Sequence, residues 1–255
     1  MRKPLPILLL AAMALAACLP LRAEAPGLSV FAAASLSESL QDIAALWARA
    51  GHGKLSFNFH ASGSLARQIL EGAPADVFVG ADEASMDQLQ SAGLLEPGSR
   101  VSLLSNTLVV VARADSAVKV SAAADLAGLG RLAIGDPAAV PAGAYAKAWL
   151  SKLGLWGKLI DKAVPCDNVR AVLAAVESGN VDAGIVYGTD ALISKKIRVA
   201  LEVPAAEGPK ISYPLAVLKG AAEKEEALKF AGFLQGPEAA KAFKARGFLL
   251  LKPAD

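Results

Sequence analysis

Two serines sit at the same kind of turn. Phe31-Ala-Ala-Ala-Ser35-Leu-Ser-Glu38 ends an apolar run and opens a helical one, and Asn58-Phe-His-Ala-Ser62-Gly-Ser64-Leu does the same 27 residues later. That interval suits one strand-plus-helix step, so in a parallel sheet both serines reach the same edge, where open α/β sheets bind ligands. A helix start carries unpaired N–H groups and about half a positive charge, which suits an anion. Capping competes with that role: Ser35-x-x-Glu38 also fits a capping box, in which the serine satisfies only its own helix.

Three more turns offer donors. Gly135-Asp-Pro-Ala-Ala-Val140-Pro141-Ala142-Gly143 puts proline at a first helical position, so Ala142 follows with a free N–H. In Pro165-Cys-Asp167-Asn168-Val169-Arg170, Asp167 fits an N-cap and leaves the Val169 N–H in an equivalent place. Gly184-Ile-Val-Tyr187 ends a strand in a phenol, either a ligand donor or a core-edge aromatic with its hydroxyl in solvent. Basic charge is not concentrated at any of these turns. Arg67 and Arg170 fall past the first helical positions and are expected on solvated faces, and Asp167 is expected to turn back onto its helix.

Neutral hydroxyl and amide donors suit a fully deprotonated oxyanion, which only accepts hydrogen bonds. Phosphate near neutral pH keeps a proton and needs an acceptor as well. Each bond to a charged acceptor contributes roughly 1.5–3 kcal/mol net, so several must converge on one ion. Catalysis fits less well. A serine nucleophile needs an aligned base; the histidines are His52 and His60, and no Gly-x-Ser-x-Gly elbow occurs. His52, His60 and Cys166 lack metal-ligand spacing.

The elements that carry these turns alternate. Strands are expected at Leu28–Ala34, Lys54–Phe59, Asp76–Val79, Leu108–Ala112, Leu132–Ile134, Ala183–Val186 and Tyr213–Leu218. Helices are expected at Ser35–Arg49, Ser62–Leu70, Glu83–Ala92, Ala142–Leu153, Asn168–Ser178, Glu223–Leu234 and Pro237–Arg246. Strands separated by single helices imply α/β architecture with mostly parallel sheets and right-handed crossovers. The apolar strands near Leu108 and Tyr213 could each follow a passage between two lobes, with residues 27–105 plus 214–255 in one lobe and 106–213 in the other.

The chain has 255 residues, 54% hydrophobic and 20% charged, with a formal net charge of +2. That excludes a disordered chain and argues against a nucleic-acid binder, which carries a concentrated basic face. Arg2 and Lys3 precede an uncharged apolar run, Leu5 to Ala17, too short to span a bilayer and suited to a secretory signal. Ala23-Glu24-Ala25 supplies a cleavage pattern, giving a signal peptide over 1–25 and an exported product. Leu15-Ala16-Ala17-Cys18 fits a lipoprotein box, in which Cys18 carries a lipid anchor, and both readings stay open. Cleavage after Ala25 removes Arg2, Lys3, Arg22 and Glu24 and leaves 23 basic against 23 acidic residues.

In order along the chain, Val30-Phe-Ala-Ala-Ala-Ser35-Leu, Ala61-Ser62-Gly63-Ser64-Leu-Ala-Arg-Gln-Ile69 and Gly72-Ala-Pro-Ala-Asp76-Val-Phe resemble the periplasmic molybdate-binding proteins of molybdate ABC importers. So do Gly135-Asp-Pro…Val140-Pro-Ala-Gly143, Asn168-Val-Arg170 and Gly184-Ile-Val-Tyr-Gly188. The resemblance covers residues 28 to 252. It implies a two-lobed type II periplasmic binding fold with an oxyanion in the cleft, and no enzymatic activity or cofactor. Ser35 and Ser62 would donate hydroxyl and backbone N–H groups, Ala142 and Val169 backbone N–H groups, and Tyr187 its phenol. Gly63 stands where some relatives have a serine-rich run, which makes Ser64 a conceivable substitute for Ser62. The expected ligands are molybdate and tungstate, with another oxyanion such as sulfate as the alternative. The expected partners are an inner-membrane permease with its cytoplasmic ATPase, and the expected state is a periplasmic monomer.

Overall fold

The computed structural model describes residues 27–251. The expected signal segment, 1–25 with Cys18, and the last four residues lie outside the described residues. The first lobe starts with β1 (Leu28–Ala33), α1 (Ser37–Arg49), β2 (Leu55–His60), α2 (Ser62–Leu70), β3 (Val77–Val79), α3 (Glu83–Ser91) and β4 (Val101–Ser105). The second follows with β5 (Leu108–Arg113), β6 (Leu132–Gly135), α4 (Pro141–Lys152), α5 (Trp156–Leu159), β7 (Ala163–Cys166), α6 (Val169–Glu177), β8 (Ala183–Tyr187), α7 (Gly188–Ala191) and β9 (Ile197–Glu202). The chain then returns through β10 (Tyr213–Val217), α8 (Lys224–Leu234), α9 (Pro237–Ala245) and β11 (Leu249–Leu250).

The strands form two sheets, ordered β11-β4-β10-β3-β1-β2 and β7-β6-β8-β5-β9. The chain passes between them at residues 106–107 and again over 203–212. Tyr213 opens β10 in the first sheet, one residue ahead of the lobe boundary expected from sequence.

Both sheets are mixed rather than mostly parallel. Parallel pairing is confined to β2-β1-β3 and β7-β6-β8, the strands linked by crossover helices. β5 and β10 run against them: Leu108 pairs with Tyr187, and Leu215 with Val79. The reason is where each strand enters. The crossover strands end at the edge facing the other lobe, and a strand arriving from that lobe must begin at the same edge.

Alternation along the strands puts helices on both faces of the first sheet. Val30, Ala32, Val77, Val79, Leu215 and Val217 belong to a core shared with Leu40, Ile43 and Trp47 of α1, Phe230 of α8 and Phe243 of α9. Phe31, Phe78 and Ala216, one residue out of step, pack with Leu65 and Ile69 of α2 and Met86 and Leu89 of α3. In the second sheet, Ile134 and Ile185 share the core of Trp149 of α4 and Val172 of α6. The two carboxyl edges are thereby held rigidly, with the turns that follow them free to face one another.

Candidate functional site

β1 and β2 end level, Ala33 beside His60, and β6 and β7 end level, Gly135 beside Cys166. The turns that follow these four strands meet in the cleft, around a cavity with about 210 Å³ of empty space, open mouth included. Ser35, Ser62, Ala142, Val169 and Tyr187 all line it, and each is buried. The structure thus gathers all five positions singled out from sequence, two from the first lobe and three from the second. Ser64, the conceivable substitute, is not among the lining residues, whereas His60 is.

Ser35 sits in a 3₁₀ turn, Ala34–Leu36, ahead of α1, and caps nothing. The helix begins at Ser37 behind an uncapped Leu36. The capping box expected with Glu38 is absent because both partners are engaged elsewhere. Ser35 Oγ lies 3.2 Å from Tyr213 Oη, and Glu38 binds Arg170. Ser62 is the first residue of α2 and likewise no cap; its Oγ accepts a hydrogen bond from the Ala81 N–H at 2.9 Å. With an acceptor position of that oxygen used, the hydroxyl proton remains to be donated.

Pro141 occupies the first position of α4, and the Ala142 N–H has no partner among the described residues. The turn is tight: a Cβ on Gly143 would lie 1.8 Å from the Gly135 carbonyl oxygen. At α6 the N-cap is Asn168, not Asp167. Asn168 Oδ1 accepts from the Arg170 and Ala171 N–H groups at 3.0 Å each, while Asp167 is exposed. Val169 is therefore the first helical residue, and its N–H is one of the donors a helix leaves unpaired. The N–H groups of Ser35 and Ser62 are unpaired too among the described residues.

Tyr187 is 1% exposed, and its Oη has no hydrogen-bond partner among the described residues. Burial pushes its phenol well above the ordinary value, so it stays protonated and can donate. His60 Nδ1 is also buried without a partner among the described residues.

Among the described residues, no carboxylate, lysine or arginine lines the cavity. Arg170 is nearby but committed. Expected on a solvated face, it lies instead between the lobes, its Nη2 2.5 Å from Glu38 Oε2 and 3.3 Å from the Ser35 carbonyl oxygen. Its Nε lies 3.0 Å from Oδ1 of the fully buried Asp190. Burial pushes Glu38 upward, but Arg170 outweighs it and leaves the carboxyl below its usual range. Arg67 is exposed. A second link crosses the cleft where the Gly63 N–H donates to the Ala139 carbonyl at 3.1 Å.

Sequence reasoning weighed His60 only as a catalytic base or a metal ligand, and it missed Asn106, Tyr213 and the engagement of Arg170. The polar pair Asn106-Thr107 between two apolar strands is the one local signal that pointed at any of them.

Residues 28–249 match the family model described as bacterial extracellular solute-binding protein. The chain is 42% identical over 230 residues to the molybdate-binding protein ModA of Escherichia coli, covering 88% of this chain and 89% of that one. It is 40% identical over 222 residues to a putative ABC transporter substrate-binding lipoprotein, YvgL, of Bacillus subtilis, covering 87% and 85%. Among solved structures, the periplasmic molybdate-binding protein of Azotobacter vinelandii superposes with a TM-score of 0.80 at 29% identity, over 88% of this chain and all of that one.

Proposed function

The chain belongs to the bacterial extracellular solute-binding protein family, and from that premise we propose that it captures molybdate for an ABC importer. It is a binding protein, not an enzyme, and it delivers its ligand to a permease driven by an ATPase. One observation carries the reading: a small cavity in the cleft lined by hydroxyl and amide donors and, among the described residues, by no carboxylate, lysine or arginine.

We assign the ligand contacts to Ser35 and Ser62, each with hydroxyl and N–H, to the Ala142 and Val169 N–H groups, and to the Tyr187 hydroxyl. At roughly 1.5–3 kcal/mol for each charge-assisted bond, such a set gives on the order of 10–20 kcal/mol gross. That supports tight binding after the costs of desolvation and ordering. A tetrahedral dianion accepts on every oxygen, so no donor is wasted and no acceptor is missing. Tungstate, of the same charge and shape, belongs to the same proposal. Sulfate carries the same charge on a smaller tetrahedron, and its weaker binding would rest on fit to the cavity.

Titration calorimetry with molybdate, tungstate and sulfate tests this. Tight molybdate and tungstate binding with sulfate far weaker is the expected result; equal sulfate affinity refutes the assignment. We further propose export by the leader, with cleavage near Ala23 to Ala25 or lipidation at Cys18, and a monomeric state. Mass spectrometry of the mature N-terminus separates the first two. The described helices include none long and apolar enough to cross a membrane.

A further inference from the structure

The donor direction at Ser35 is set from the passages between the lobes. Asn106, 7% exposed, lies in the first passage, and the fully buried Tyr213 directly follows the second. The Thr107 N–H donates to Asn106 Oδ1 at 2.8 Å. A backbone N–H can only donate, so that contact fixes which end of the amide is oxygen. Asn106 Nδ2 then has two protons, given to Thr189 Oγ1 at 2.9 Å and to Tyr213 Oη at 3.1 Å. Tyr213 Oη thus accepts from Asn106, and among the described residues its own proton has one neighbour within reach, Ser35 Oγ at 3.2 Å. Only one proton fits between those two oxygens. With the Tyr213 proton there, the Ser35 proton must point elsewhere, and the cavity is what Ser35 lines.

We propose that Asn106 and Tyr213 are positioning residues that hold Ser35 as a donor and thereby reject oxyanions that carry a proton. The inference rests on the oxyanion reading of the cavity. Ser62 is held the same way by the Ala81 N–H, and Tyr187 is a neutral phenol with a free proton. Every hydroxyl on the cavity is therefore set to give a proton. A P–OH group brought in would meet donors on all three. Without Tyr213's hydroxyl, Ser35 can rotate and present a lone pair to such a group.

The readout is the ratio of sulfate to phosphate affinity at pH 7, measured by competition against bound molybdate. The two ions are nearly the same size, so the ratio isolates protonation from fit. For Tyr213→Phe the expected result is molybdate affinity about 3- to 10-fold lower and a sulfate-to-phosphate ratio at least 10-fold lower. Asn106→Leu should shift the ratio the same way, since it frees the Tyr213 proton. A merely structural role weakens both ions together and leaves the ratio unchanged, which overturns the proposal. Should both variants fail to fold, the unaltered protein still decides. Its Tyr213 hydroxyl proton, seen by NMR with labelled tyrosine, should show an Overhauser effect to the Ser35 β-protons, and a hydroxyl proton directed to Asn106 instead overturns the relay. Wild-type protein that binds none of the three ions refutes the oxyanion reading itself, an outcome distinct from binding with an unchanged ratio.

Discussion

Gly63→Ala separates closing of the cleft from contact with the ligand. Gly63 is the second residue of α2, its φ lies outside the left-handed region, and alanine suits the backbone there. The obstacle is the other lobe: an added Cβ would lie 2.7 Å from the Ala139 carbonyl oxygen and 3.1 Å from its Cα. Carbon and oxygen in ordinary contact stand about 3.5 Å apart, so the seam must open by most of an ångström. That strains or breaks the Gly63 N–H···O=C Ala139 bond, about 0.5–1.5 kcal/mol, and adds an overpacking cost of about 1–3 kcal/mol. The closed state is then destabilised by about 2–4 kcal/mol, a factor of roughly 30 to 1,000 in affinity. The ligand-free fold should keep or gain about 0.4–1 kcal/mol, because alanine restricts the unfolded chain more than glycine does. Calorimetric titration with molybdate, run beside thermal unfolding without ligand, reads the two effects apart. A dissociation constant within twofold of wild type would refute the reasoning, because the seam would then not be part of the bound state.

Three other variants probe the site itself. Tyr187→Phe removes a buried hydroxyl without a partner, so the ligand-free protein should be as stable or more stable. Molybdate binding should weaken by about 1.5–3 kcal/mol, and unchanged calorimetric affinity would show the phenol to be a core aromatic only. Ala142→Pro should damage binding far more than Ala142→Ser, because only proline removes the N–H at a first-turn position the ring can occupy; equal losses would show that bulk, not the N–H, is what matters. Asp190 is a carboxyl whose folded value is raised by burial to about 6. Its stabilising contribution is therefore fully present below about pH 4 and lost as pH rises through 6, by up to about 3 kcal/mol. Denaturant midpoints at pH 4 and pH 7 should differ less in Asp190→Asn than in wild type, and identical pH slopes would sink that account.

The cavity was legible in sequence because its parts obey local rules. Proline at a first helical position exposes the next N–H wherever it occurs, and a strand-to-helix step of fixed length returns Ser62 to the edge that holds Ser35. What stayed hidden depends on partners far along the chain. Ser35 escapes its capping box only because Tyr213, 178 residues later, and Arg170 take the groups involved. Asp167 and Asn168 are adjacent and both suited to capping, and nothing local decides between them. Three strands of the second sheet, β5, β7 and β9, show the same divide. β7 contains Pro165 and is half exposed, and β9 follows a lysine pair, so neither carries the apolar run that marks β5. The mixed pairing follows from the passage between lobes, a fact of topology without a residue signature.

Arg170 shows how the site is kept neutral. A guanidinium beside a dianion site would raise affinity by long-range attraction, and this one is instead held by Glu38 and Asp190, the three together carrying no positive charge. Binding on the proposed site then depends on donors rather than on net charge. Those donors are divided: Ser35 and Ser62 ride on the first lobe, Ala142, Val169 and Tyr187 on the second. Parting the lobes takes nearly half of the bonds from the ion at once and lets water reach it. A cationic site would keep its attraction across a distance of several ångströms, because Coulomb energy falls only as 1/r while a hydrogen bond is lost within one ångström. On the proposed site, neutral, divided donors would make tight capture and full release compatible in one molecule, and parting the lobes would have to break the Gly63–Ala139 and Arg170–Glu38 links.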